Sequence, residues 1–125
     1  MVLMLDGLQH ISEFEGGISI GYSNLKHVDE LACLSDVSFL YLSSNPDIEH
    51  IEGFRFVKND RGRLTVSGHR VLENLDGLRS LESINHEVEI SYNDRISNLD
   101  GLQNVTDMGS DLKIIHKKIM ILVCR

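Results

Sequence analysis

Basic charge is scarce in this chain. Twelve Lys and Arg face 19 Asp and Glu, a formal net charge of −7. Nucleic acid and anionic membrane surfaces both want a basic patch, so the balance argues against either as a partner. Long apolar runs are also missing. None approaches the roughly 20 residues that span a bilayer, so no membrane span is expected. The opening "MVLMLDGL" has no basic lead-in and reaches Asp6 too early for a signal peptide. Tryptophan is absent, proline occurs once, and the two cysteines, Cys33 and Cys124, allow only one internal disulfide. Motifs for common chemistry are absent as well: no G-x-S-x-G, H-E-x-x-H, G-x-x-x-x-G-K-[ST] or C-x-x-C occurs. The chain is therefore not expected to be an enzyme, and no cofactor is implied.

What is present is repetition. "LDGL" stands at 5–8, 75–78 and 99–102. Units beginning at Leu8, Leu31, Phe54, Leu78 and Leu102 divide residues 1–125 at intervals of 23, 23, 24 and 24 residues, as a single repeat domain. Superimposed, the units give apolar columns. Leu8, Leu31, Phe54, Leu78 and Leu102 form one; Val28, Ile51, Leu75, Leu99 and Val123 form another. An alternating pair recurs as Ile18/Ile20, Leu40/Leu42, Leu64/Val66, Val88/Ile90 and Leu112/Ile114. Alternation marks a strand, because successive side chains point to opposite faces. The remaining apolar positions recur every three residues, which suits tight turns or short 3₁₀ stretches.

A unit this short cannot bury its own apolar side. Stacking in register turns each column into a continuous core, with parallel strands pairing unit to unit about 4.8 Å apart. The expected fold is mainly β: a right-handed β-solenoid of about five units, each with one short parallel strand. Cys33 and Cys124 then fall about 14 Å apart by the same spacing, too far for a disulfide, so two free thiols are expected. Gly7, Gly53, Gly77 and Gly101 form a column broken by Glu30. Glycine there suits a corner with positive φ, with the preceding Asp bonding amides of the turn. Asn45 and Asn93 recur three residues beyond the strand, where an inward amide could bond backbone of the next unit.

These columns resemble the receptor L-domain type of leucine-rich repeat, most closely in "VEISYNDRISNLDGL" and "LYLSSNPDIEHIEGF". The pattern departs from the common leucine-rich form in two ways. Phe14 and Ile84 sit four residues before the strand pair rather than three, and the Asn is followed by an apolar residue at +3 rather than +2. The cysteine-rich modules that flank receptor L domains are absent. The resemblance implies a solenoid with a recognition role and an extracellular or cell-surface setting, without implying a receptor.

The acidic column Asp6, Asp29, Glu52, Asp76 and Asp100 raises the question of a cation. One carboxylate per unit is sparse for calcium, so solvated turn residues are the expected reading. His27 and His50 share a column with Asn74 and Asn98, which reads as an exposed stack rather than a zinc site, and no third ligand is evident. No metal site is expected. Asn104, Val105 and Thr106 form an N-glycosylation sequon with Asn104 expected at the surface.

The outward strand face is the expected working surface. Its candidate ligand-binding residues are Phe39, Tyr41, Arg63, Thr65, Glu87, Glu89 and Lys113. Aromatics and Arg are the residues that binding hot spots favour, and Arg63/Glu87 and Glu89/Lys113 place opposite charges on neighbouring strands. The ligand would be a protein or a glycan. The competing reading is a structural or cell-wall spacer repeat with no specific ligand; a polysaccharide-cleaving β-helix enzyme would need a carboxylate cluster that the even column does not supply. Neither end carries a polar cap, and "KKIMILVCR" closes the sequence with six apolar residues in a row. A fragment of a longer array is favoured over end-to-end self-association or a degenerate last unit.

Overall fold

The computed structural model describes residues 16–32, 34–109 and 112–115. Cys33, Cys124, both chain ends and the side chain of Lys113 lie outside the described set. The described chain is mainly strand, arranged in parallel sheets, with no α-helix among the described residues.

Each four-residue strand is one alternating pair of the sequence. These are Ile18–Gly21 (β1), Leu40–Ser43 (β3), Leu64–Ser67 (β5), Val88–Ser91 (β7) and Leu112–Ile115 (β9). They form one five-stranded sheet in the order β1-β3-β5-β7-β9. The register sets Ile18 against Leu40, Leu64, Val88 and Leu112, so the inward pairs stack. In β3 and β5 the two apolar residues are buried and the two between and beside them are half-buried. Alternation in the sequence has become the two faces of a sheet, as side-chain direction along a strand requires.

A second sheet has no counterpart in the sequence reading. Asp36–Val37 (β2), Asn59–Asp60 (β4), Ser83–Ile84 (β6) and Asp107–Met108 (β8) pair in that order, also parallel. Among the described residues, the units beginning at Leu31, Phe54, Leu78 and Leu102 thus each give a strand to both sheets, not one strand alone. Between them lie 3₁₀ turns at Asp29–Leu31, Glu52–Phe54, Asp76–Leu78 and Asp100–Leu102, consistent with the apolar spacing of three.

The core is continuous between the sheets and turns. Phe54 is its largest fully buried side chain, with Leu78 beside it in the column and Val57, Leu81, Ile48 and Leu72 in neighbouring ones. A polar column runs through it. Ser23, Asn45, His69 and Asn93 are all buried. Asn45 donates from Nδ2 to the Ile20 carbonyl (2.9 Å), and its Oδ1 accepts from the Ser23 amide and hydroxyl (3.2 and 2.7 Å). Asn93 repeats the pattern, donating to Val66 O (2.8 Å) and accepting from the His69 amide (3.2 Å). The amides serve strand ends of the preceding unit, not the next one. This satisfies backbone groups that the corner would otherwise leave unpaired.

His69 holds the asparagine position in the third unit. Its Nδ1 faces Asn45 O (3.2 Å) and its Nε2 faces Leu42 O (3.0 Å). A neutral imidazole has one N–H, so it can donate to only one of these carbonyls. Burial holds the His69 pKa below its ordinary value, against the upward pull of the two carbonyls. The charged form is thus disfavoured in the fold, and the unfolded chain takes the proton first. Stability from this group is complete above the unfolded pKa and falls as pH drops through it. His69→Asn, which restores the column's amide, is expected to gain stability relative to the wild type as pH falls from about 7.5 to about 5, read by urea unfolding at each pH. A constant difference across that range would contradict this account of His69.

Two expectations about the corners are corrected. Gly53, Gly77 and Gly101 do not have positive φ; among the described residues the positive-φ positions are Tyr22, Ser44, Gly68 and Tyr92, which follow the long strands. The glycines are needed for close approach instead. A Cβ at Gly77 would lie 2.0 Å from the Ile51 carbonyl oxygen, and one at Gly101 would lie 1.9 Å from that of Leu75. Nor do the acidic residues cap their turns. The residue two positions earlier does so. Asn74 and Asn98 accept the amides of Asp76 and Asp100 at 3.0 Å, and His27 and His50 accept those of Asp29 and Glu52 through Nδ1 at 3.4 and 3.3 Å.

Candidate functional site

The outward face of the five-stranded sheet is set by the strand register. Ser19, Tyr41, Thr65, Glu89 and Lys113 stand in one row across it. Phe39, Arg63 and Glu87 precede β3, β5 and β7, and their carbonyls accept from Ile18, Leu40 and Leu64 at 3.0, 3.1 and 3.0 Å. The face is therefore held in register one residue beyond the strands.

Phe39 and Tyr41 are brought together, with ring centroids 4.5 Å apart and planes tilted by 37°. Both are half-buried although they sit on the outer face. The reason lies just before the neighbouring strand: a Cβ at Gly17 would lie 2.0 Å from the Phe39 ring, so that ring occupies the space a side chain would need. Tilted aromatic pairs of this kind gain about 0.5–1.5 kcal/mol beyond area burial. They form a small, packed apolar platform on the outer face.

Beside it, Arg63 reaches Glu87, with Nη2 to Oε2 at 3.4 Å and both side chains about half exposed. An ion pair this open contributes about 0.2–1 kcal/mol. Thr65 and Glu89 are half-buried in the next row. Glu89 accepts from Ser91 Oγ at 3.1 Å, and that hydroxyl also lies 2.9 Å from Ser67 Oγ. Lys113 follows Glu89 in the backbone register, but its side chain is outside the described residues.

The sequence reading missed the serine row Ser43, Ser67 and Ser91, whose signal was its recurrence one step beyond the inward pair. It also missed Tyr22 and Tyr92, exposed at 87% and 53% on the strands' trailing edge. Both hold left-handed backbone, with φ of 52° and 54°. Tyrosine is not a residue that marks such a corner, so nothing in the sequence flagged them.

Other clusters have structural roles. His27 and His50 stack with centroids 5.9 Å apart and planes within 4°. Their Nδ1 atoms serve the turn amides and lie 3.6 and 3.9 Å from the Asp29 carboxylate. Glu52 is held below the usual carboxylate range, chiefly by its hydrogen bonds from Arg79, which span 2.8 and 3.1 Å. Arg79 also donates to Asp76 O at 2.7 Å, so these acids are bound into the turn column. Among the described residues no group of three His, Cys, Asp or Glu is placed to hold a metal ion, and no helix is long and apolar enough to cross a membrane. An open cleft of about 540 Å³ lies between Lys26, Asp47, Glu49, Val71, Glu73 and Arg95. It is lined by exposed charges of both signs, with Arg95 3.9 Å from Glu73. Asn104 is exposed and donates to Arg79 O at 2.6 Å.

Compared with protein-family models, with curated proteins and with solved structures, the chain finds no match.

Proposed function

We propose that the chain is a right-handed β-solenoid of leucine-rich units, akin to the receptor L-domain type, and that it serves as a non-catalytic recognition module. The ligand is a protein or a glycan, bound on the outward face of the five-stranded sheet. One observation carries this reading: Phe39 and Tyr41 form a packed aromatic pair on that face, directly beside the half-exposed Arg63–Glu87 contact. A rigid aromatic contact costs little side-chain entropy on binding, and an adjacent Arg gives directional hydrogen bonds.

Wild type and a Tyr41→Ala/Arg63→Ala double variant are to be screened against immobilised chitin, cellulose and β-1,3-glucan and against a displayed-peptide library. At least one probe should be retained by the wild type and weakened roughly tenfold or more in the variant, as loss of a binding hot spot implies. The variant should still unfold cooperatively, with its midpoint lowered only by the modest loss of the aromatic contact and the exposed ion pair. Equal retention by both would remove this face from consideration. Retention of nothing from either panel would favour the spacer reading.

A further inference from the structure

The column Val37, Asp60, Ile84 and Met108 in the four-stranded sheet places a carboxylic acid between apolar neighbours. Asp60 is 1% exposed. Its Oδ1 accepts from the Gly62 amide at 2.9 Å, and its Oδ2 has no hydrogen-bond partner. A buried carboxylate with an unpartnered oxygen is costly, and the cost falls mainly on the charged form.

The corner that Asp60 closes leads to the outward face of the other sheet. Gly62 packs so tightly against the preceding unit that a Cβ there would lie 2.3 Å from Ser38 O and 3.1 Å from Phe39 Cβ. Arg63 is the next residue. The rest of the corner is held by backbone bonds from Arg61 to Val37 O, Asn85 to Asp60 O and His86 to Gly62 O, at 2.9, 2.9 and 3.1 Å.

We propose that Asp60 is a proton-operated latch on the Asn59–Arg63 corner: protonated, it stays in the apolar column and holds Gly62, and ionised, it leaves the column and frees the segment that seats Phe39 and Arg63. The latch does not depend on what the face binds. Burial pushes the Asp60 pKa up to about 6, against the Gly62 hydrogen bond and the His86 charge. The charged groups around it are Lys58 and Arg61 on its own segment, Asp36 on β2 and His86 beyond β6. Of these, Arg61 is turned to Asp36, with Nη2 to Oδ2 at 3.8 Å. Asp36 is further occupied by the Asn59 amide at 2.9 Å. Among the described residues no ion pair reaches the Asp60 carboxylate, and the His86 charge does not outweigh its burial. The sign follows: the folded chain binds this proton more tightly than the unfolded one, so the latch is closed in acid and opens as pH rises through about 6.

The test is amide hydrogen exchange of the full chain by NMR, with rates corrected for intrinsic base catalysis. Gly62 protection should fall roughly tenfold or more between about pH 5 and about pH 7.5, since each pKa unit corresponds to a factor of ten. In Asp60→Asn it should be the same at both. Asp60→Val, which extends the apolar column, should also be insensitive to pH and serves if the amide variant folds poorly. The Phe39 ring resonances should shift with the same midpoint in the wild type alone. Unchanged Gly62 protection in the wild type, an equal loss in Asp60→Asn, or an Asp60 carboxyl resonance titrating in the ordinary aspartate range would each overturn the latch.

Discussion

Gly77→Ala is expected to be among the most damaging single substitutions in the chain, costing roughly 3 kcal/mol or more, because inserting atoms into a packed contact strains whatever cannot yield. The added methyl carbon would meet Ile51 O at 2.0 Å, Ile51 C at 2.3 Å and the Glu52 amide nitrogen at 2.8 Å. These are backbone atoms of the unit before, so no rotamer change relieves the clash. Only separation of the two units would, and that would open the adjacent core at Leu75 and Leu78. Gly68→Ala provides the contrast. There φ is +80° and the nearest atom, Ser44 Oγ, is 3.1 Å away. The expected cost is the left-handed penalty of about 1–2 kcal/mol. Urea unfolding of both variants checks the order. A Gly77→Ala protein as stable as the wild type would mean the units are not seated this closely.

Phe54→Ala is expected to cost roughly 3–5 kcal/mol, the range for emptying a large buried aromatic site. Phe54 is 0% exposed and has Leu31 and Leu78 on either side in its column. Neighbours held by both sheets cannot collapse into the gap, so the cavity persists. Leu99→Ala should cost less, since Leu99 is only partly buried against the core. Leu75, in the same column as Leu99, is fully buried and should behave like Phe54. Unfolding midpoints for Phe54→Ala and Leu99→Ala test this. Equal losses would indicate a core that does not follow the column order.

The unit length and the long-strand register were legible because alternation ties each residue to a face. Leu40 and Leu42 can be inward only if Tyr41 is outward, and the next unit repeats the constraint at Leu64, Thr65 and Val66. The second sheet was not legible, because a two-residue strand such as Asn59–Asp60 has no period to detect. The glycine column was visible but its cause was not. A sequence shows that a side chain is missing at Gly77 without showing that the Ile51 carbonyl stands in its place. Asp60 was hidden for a related reason: a polar residue breaking an apolar column looks like a gap in the pattern. Of the candidate site, the nearness of Phe39, Tyr41, Arg63 and Glu87 could be read from spacing. The half-burial of the aromatic pair could not, since it depends on the bare Gly17 just before the neighbouring strand.

The two titrating groups in the interior oppose each other. His69 favours the fold at higher pH and Asp60 favours it at lower pH. The wild-type stability profile is therefore flatter than either group alone would give, and each is resolved only against its own variant.

The central claim is that equivalent residues of successive units pair side by side in parallel. Backbone nuclear Overhauser contacts in a uniformly labelled sample test it directly. Cross-peaks should link Tyr41 to the Thr65 neighbourhood and Thr65 to that of Glu89, each 24 residues on, in the parallel pattern. An antiparallel pattern in β3, β5 and β7, or a run of i to i+3 contacts through them, would contradict the account.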